Sequence, residues 1–175
     1  LKFLNSDNKR ILVADEVGLG KTIEAGHIML ELKARNEFRN ALIICPISLQ
    51  AKWKAELKDK FGLTFTIVES SKELIKMLQD HDGTVRAIIN YDKIRSKFDS
   101  EKEIELNPLL NYLSENSKKF SFILCDEAHK MRNETTQTYK GAEKIMETAD
   151  AVVFLTATPI MISERNLYNL LHLLD

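Results

Sequence analysis

Short apolar runs separated by amphipathic ones constrain this chain more than any other feature. Ile11 to Ala14, Ala41 to Ile47 ("ALIICPI"), Phe65 to Val68, Val85 to Asn90, Phe120 to Cys125 and Ala151 to Leu155 each have the length and side chains of a buried strand. Between them the apolar positions fall at helical spacing. Thr22 to Ala34 carries a stripe of Ile23, Ala25, Ile28, Met29 and Leu32. Ser48 to Phe61 reads as a second helix with Ser48 as its cap, and Pro46 is expected to end the strand before it. Further helices are expected over Lys72 to Gln79, Leu106 to Asn116, Thr138 to Thr148 and Asn166 to Leu174. His81-Asp82-Gly83 marks a turn. The charged stretch 92–104 reads as a short helix over 92–97 and then a surface loop. Continuous apolar strands between amphipathic helices specify a mostly parallel sheet covered on both faces, an α/β domain of three layers. Its 175 residues suit one domain, residues 1–175, with no internal repeat or linker.

Composition narrows the partners only a little. A formal net charge of -1 gives no general basic footprint for nucleic acid and leaves a local one open. Cys45 and Cys125 sit inside apolar runs and read as buried thiols of a reducing compartment. No apolar stretch has membrane-spanning length and no signal peptide opens the chain, so a soluble, cytoplasmic protein without membrane contact is expected. The chain starts at Leu1 rather than Met and its last helical pattern reaches Asp175, which reads as a fragment of something longer. With no long heptad pattern, a monomer is expected.

Parallel sheets of this kind bind ligands at the carboxyl ends of their strands. "VADEVGLGKT", residues 13–22, lies at such an end. It finishes as a phosphate-binding loop does, although Asp15 stands where the pattern G-x-x-x-x-G-K-[ST] has its first glycine. A strand precedes it and a helix opens at Lys21 or Thr22. Gly18 and Gly20 let backbone amides turn inward. In such a loop Lys21 reaches the β- and γ-phosphates and Thr22 ligates Mg²⁺. His27, in the helix that follows, reads as a surface or packing residue.

"FILCDEAHK", residues 122–130, delivers two acids at another strand end. Asp126 suits the Mg²⁺ shell, and Glu127 suits orienting or deprotonating the water that attacks the γ-phosphate. Taken alone, such a pair equally describes a helix cap and a solvent-facing neighbour. Its presence beside a lysine loop on the same sheet favours catalysis. His129 has no second histidine at metal-ligand spacing and suits a hydrogen bond to a neighbouring element.

"DEVGLGKTIEAG", "ICPISLQAKWKAEL", "IINYDKIR", "CDEAHKMRN" and "LTATPI", in that order, resemble the first motor lobe of the Swi2/Snf2 group, helicase-like DNA-stimulated ATPases of helicase superfamily 2. Val17 places the likeness nearest the bacterial RapA-like branch. The resemblance spans residues 11–175 and implies a RecA-like, P-loop NTPase fold. It implies that Asp15, Glu16, Val17, Gly18, Leu19, Gly20, Lys21 and Thr22 form the ATP loop, so that Asp15 is the family's own choice. It implies that Lys21, Asp126 and Glu127 are catalytic, and that Thr22 and Asp126 hold Mg²⁺. His129, Thr156 and Thr158 would couple the ATP site to nucleic acid and to the second lobe. Ser48, Gln50, Lys52 and Tyr91 are candidate nucleic-acid contacts; Trp53, in the same segment, is a further candidate but suits packing its helix on the sheet better than stacking on a base. Tyr91 taken alone also suits a core aromatic, and Lys130 and Arg132, after the acidic motif, suit ordinary surface charges as well as contacts.

The family's motors place ATP between two RecA-like lobes of one chain, and the second supplies arginine fingers worth about 10³ to 10⁵ in rate. The resemblance therefore implies the ATP-binding lobe of a DNA-dependent ATPase that moves along double-stranded DNA or remodels protein–DNA complexes. Residues 1–175 alone should bind ATP weakly and turn it over hardly at all. Two other readings remain open at this stage. One is a strand-separating superfamily 2 helicase or restriction-system motor subunit. The other is a binding module with a relic nucleotide site.

Overall fold

Each apolar run becomes a strand, and the six long-range strands pair in parallel. The computed structural model describes residues 9–14, 20–80, 84–102, 104–117, 120–157 and 164–175. The strands are β1 (Lys9–Ala14), β2 (Ala41–Ile44), β3 (Thr66–Ile67), β4 (Arg86–Ile89), β5 (Phe98–Asp99), β6 (Ile104–Glu105), β7 (Phe122–Asp126) and β8 (Ala151–Thr156). The helices are α1 (Lys21–Ala34), α2 (Ile47–Phe61), α3 (Ser71–Asp80), α4 (Pro108–Glu115), α5 (Gln137–Met146) and α6 (Glu164–His172). The main sheet has the order β1-β8-β7-β2-β4-β3, all parallel, and β5 and β6 form a separate antiparallel ribbon.

Side chains alternate between two cores, as the two-residue period of a strand requires. Phe122 and Leu124 of β7, with Val153 and Leu155 of β8, pack under α1 and α2 through Ile28, Met29, Trp53 and Leu57. Ile123 and Cys125, with Val152 and Phe154, pack on the opposite face against α3 to α6 through Leu74, Leu110, Ile145 and Leu170. The same alternation carries Asp126 to the α1/α2 side and Thr156 to the other. This is the three-layer α/β/α arrangement of a RecA-like fold.

Three local expectations change. Pro46, not Ser48, precedes the first turn of α2, with φ -55° and no side-chain cap. Pro46 stays extended at ψ 147° just outside the helix, which starts at Ile47, one residue early, so Ser48 falls inside its first turn. The strand before it ends at Ile44, although the Cys45 amide still donates to the Ile89 carbonyl at 3.0 Å. The stretch expected as a helix over 92–97 is a single 3₁₀ turn, Tyr91–Lys93, capped by the Asn90 side chain. The expected surface loop after it contains the β5/β6 ribbon, followed by α4 with Asn107 as its cap rather than a helix from Leu106.

One close approach locks this corner. A Cβ on Gly141 of α5 would lie 1.6 Å from the Ile94 carbonyl oxygen, so only glycine lets the helix reach the turn. Glu105 then bonds to Lys144 at 2.6 Å and to Ser96 at 2.5 Å, and accepts from the amides of Lys97 and Asn107. Burial alone would raise its carboxyl pKa, but the Lys144 and Ser96 bonds, joined by those two amides, outweigh it and hold the value down to about 2. At the far edge β1 pairs, among the described residues, only with β8, Lys9 opposite Ala151. Arg10 reinforces that edge by donating to the carbonyls of Met146, Ala149 and Leu173.

Candidate functional site

The N-terminus of α1 and the carboxyl end of β7 meet at one cavity of about 300 Å³. Its lining includes Gly20, Lys21, Thr22, Asp126 and Glu127, together with Trp53 and Lys52 of α2. Gly20 has φ 91°, a left-handed conformation that costs glycine little and turns the chain into the helix. The first amides of α1 have no intrahelical acceptor and carry the positive end of the helix. Lys21 and Thr22 thus stand in the first turn of an anion-attracting helix, half-buried, on a cavity shared with both acids. Residues Asp15, Glu16, Val17, Gly18 and Leu19 lie outside the described residues, as does Thr158.

Asp126 is 8 % exposed and held from several directions. Oδ2 accepts from the Trp53 indole Nε1 at 2.8 Å. Oδ1 accepts from the Glu127 amide at 2.9 Å. Its backbone carbonyl accepts from the Tyr91 hydroxyl at 2.6 Å. Burial, then the neighbouring Cys125 and Asp126, pushes the Tyr91 phenol well above its ordinary value and keeps it a donor. Burial, then Asp126, likewise pushes the Cys45 thiol up to about 12, so this cysteine, like the buried Cys125, is inert packing at neutral pH.

Among the described residues the ion pairs do not include Asp126. A nearly buried carboxylate with only neutral donors is costly unless a cation joins it. Each of its oxygens retains a lone pair beyond the bond it makes. With the Thr22 hydroxyl on the same cavity, this hard-oxygen donor set fits Mg²⁺, and the lysine and helix end fit phosphate.

Glu127 has φ 56° and ψ 46°, a left-handed conformation costing a non-glycine residue roughly 1–2 kcal/mol. The kink ends β7 and starts the 3₁₀ turn Ala128–Met131, leaving the Glu127 side chain on the cavity. His129 Nδ1 lies 3.1 Å from Glu127 Oε2 without the alignment of a hydrogen bond. Thr156 is fully buried at the end of β8, which packs against this turn, and its hydroxyl has no partner among the described residues.

The other expected contacts divide. Ser48 and Lys52 are exposed on α2. Gln50 and Tyr91 are both 7 % exposed; Gln50 Nε2 has no partner among the described residues, and Tyr91 supports Asp126 from beneath. Lys130 and Arg132 are exposed. His27 Nδ1 donates to the Ile23 carbonyl and its ring meets Phe61 edge-on, a packing role. Trp53, which the sequence suggested as a packing residue or a base-stacking one, instead donates to Asp126. The signal available was chemical: a buried indole N–H requires an acceptor.

Comparison with known proteins agrees with this fold. Residues 1–175 match the SNF2-related domain. The chain is 32% identical over 178 residues to the RNA polymerase-associated protein RapA of Actinobacillus pleuropneumoniae serotype 3, covering 95% of this chain and 17% of RapA. It is 32% identical over 173 residues to the uncharacterized ATP-dependent helicase YqhH of Bacillus subtilis, covering 99% of this chain and 27% of YqhH. The chain thus spans less than a third of either relative. Among solved structures it resembles the Sulfolobus solfataricus SWI2/SNF2 ATPase core in complex with dsDNA, with a TM-score of 0.71 and 26% identity over 94% of this chain and 31% of that one. The Pyrococcus furiosus Hef helicase domain shares the fold, at TM-score 0.64 and 17% identity over 99% of this chain and 35% of that one.

Proposed function

The chain belongs to the SNF2-related domain family, as an N-terminal lobe close to that of RapA, and on that premise we propose that it is the ATP-binding lobe of a DNA-dependent ATPase. The observation that carries the reading is the convergence of the α1 N-terminus, Lys21, Thr22, Asp126 and Glu127 on one cavity. The loop of Asp15 to Thr22 wraps the phosphates, and Lys21 meets the charge of the outer two. Thr22 and Asp126 hold Mg²⁺, which when bound neutralises charge across the β- and γ-phosphates. Glu127 orients the attacking water and accepts its proton. His129, Thr156 and Thr158 relay the state of this site to the rest of the motor. Among the described residues the Thr156 hydroxyl has no hydrogen-bond partner and His129 Nδ1 has only the misaligned Glu127 Oε2 nearby, which supports such a relay.

Residues 1–175 are one lobe of a two-lobe motor. The second lobe supplies the arginine that stabilises the transferring phosphate, so this chain alone turns over slowly. Ser48 and Lys52 stand on the exposed side of α2, where short polar groups and a lysine suit a nucleic-acid backbone. Double-stranded DNA is the proposed track, with movement along it or displacement of bound protein as the output. The Sulfolobus core solved with double-stranded DNA supports that choice.

The test is calorimetric titration of Mg·ATP into the chain, with Lys21→Ala alongside. Saturable binding lost in the variant is the expected result. Binding that survives Lys21→Ala overturns the placement of the phosphates. Turnover by this chain alone above a few per minute overturns the two-lobe assignment.

A further inference from the structure

Trp53 joins two parts of the molecule that the proposed function keeps separate. Its backbone belongs to α2, one residue after Lys52 and five after Ser48, both exposed. Its ring is 3 % exposed, in the core beneath that helix. Its one polar atom donates to Asp126 Oδ2, across 73 residues of sequence. The other Asp126 oxygen is engaged by the Glu127 amide, so the two bonds together define the rotation of the carboxylate. The backbone amide comes from the adjacent residue and moves with the strand. The indole comes from a separate element and moves with α2.

We propose that Trp53 is a positioning residue for the cation–nucleotide site: its indole N–H sets the rotation of the Asp126 carboxylate and so makes the site's hold on Mg·ATP depend on the seating of α2. The proposal rests on the nucleotide reading of the cavity. Its chemistry is that of a carboxylate whose free lone pairs must face a hard divalent cation. A donor that fixes one oxygen pre-orients the other, and outer partners of this kind typically contribute 10- to 100-fold to metal affinity. Packing alone would be served as well by any large apolar ring. The indole N–H gives the ring a polar partner, and that partner is the acid placed to hold the cation.

Trp53→Phe keeps the ring and removes the donor. Binding of ATP is measured by calorimetry with Mg²⁺ and again in excess chelator. The expected result is a loss of about tenfold or more in affinity for Mg·ATP, with affinity for ATP in chelator unchanged. Equal loss under both conditions, or no loss, overturns the proposal while the nucleotide site stands. The wild-type chain gives a second readout, because Trp53 is its only tryptophan. Adding Mg²⁺ to the ATP-saturated chain should shift the indole emission, and adding Mg²⁺ to Lys21→Ala should not. Unchanged emission at calorimetric saturation overturns the proposal without reliance on a variant at Trp53. Failure of the wild type to bind ATP at all removes the nucleotide reading, and the proposal falls with it.

Discussion

Two carboxylates, the half-buried Glu105 and the buried Asp126, show how a saturated polar cluster differs from an unsaturated one. Glu105 is saturated: a lysine, a serine hydroxyl and two backbone amides reach it, and its charge is locked on down to about pH 2. Asp126 has two neutral donors and no ion-pair partner among the described residues. Around Glu105 the chain closes on itself, with Gly141 pressed to Ile94 and Asn107 donating to the carbonyls of Lys93 and Arg95. Around Asp126 there is a cavity, a strained Glu127 and, among the described residues, atoms of Thr156 and His129 that make no hydrogen bond. A fold completes the polar groups that hold it together and leaves incomplete the ones that meet a ligand.

The comparison breaks first at Glu127. Glu127→Gln, assayed in a protein that supplies the second lobe, should lower ATP turnover about 10²- to 10⁴-fold. Its melting temperature should stay within a few degrees of wild type. A large fall in stability with modest loss of turnover would make Glu127 a structural residue like Glu105. Gly141→Ala acts on the other cluster. Forcing a methyl group against a backbone oxygen should cost about 2–3 kcal/mol in urea unfolding, because neither the turn nor α5 can yield cheaply. ATP affinity of the folded fraction should be unchanged.

Acid sharpens the contrast further. The folded-state value of Glu105 lies below the unfolded value of about 4.3, so its contribution is complete above that pH and is lost as pH falls toward 2. Glu105→Gln should therefore destabilise the chain at pH 7 by about 1–3 kcal/mol, and the gap to wild type should close on acidification through that window. A gap that stays constant with pH would show that packing rather than charge is at stake. The smallest effect belongs to Thr156→Val. Replacing an unpartnered buried hydroxyl with a methyl group should leave stability unchanged or raise it by up to about 1 kcal/mol. Loss of several kcal/mol would mean the hydroxyl already has a partner that holds the fold.

The saturated cluster was the part that local pattern could not reveal. Phe122 to Asp126 and Ala151 to Thr156 announce themselves as strands because every residue is apolar until the last. Gly20 to Thr22 announces a helix start because glycine, lysine and threonine follow a strand in that order. By contrast, Phe98–Asp99 and Ile104–Glu105 are too short to show a two-residue period, and nothing local relates Glu105 to Lys144. Ser48 looked like the cap of α2 because its hydroxyl suits one, but the helix already begins at Ile47, after Pro46. At the site the acids and the lysine were legible as motifs. The supports under Asp126 were not, since Trp53 and Tyr91 reach it from distant segments and both read equally well as core aromatics.

The edge position of β1 has a consequence for how the molecule is made. Among the described residues β1 has β8 as its one neighbour in the sheet, and Arg10 ties it to the last turn of α5 and the residues just beyond α6. Those partners emerge from the ribosome long after β1 itself. Closing so long a loop is entropically slow compared with pairing β2, β4 and β7. Of these strands β1 is thus made before the others and is among the last to dock.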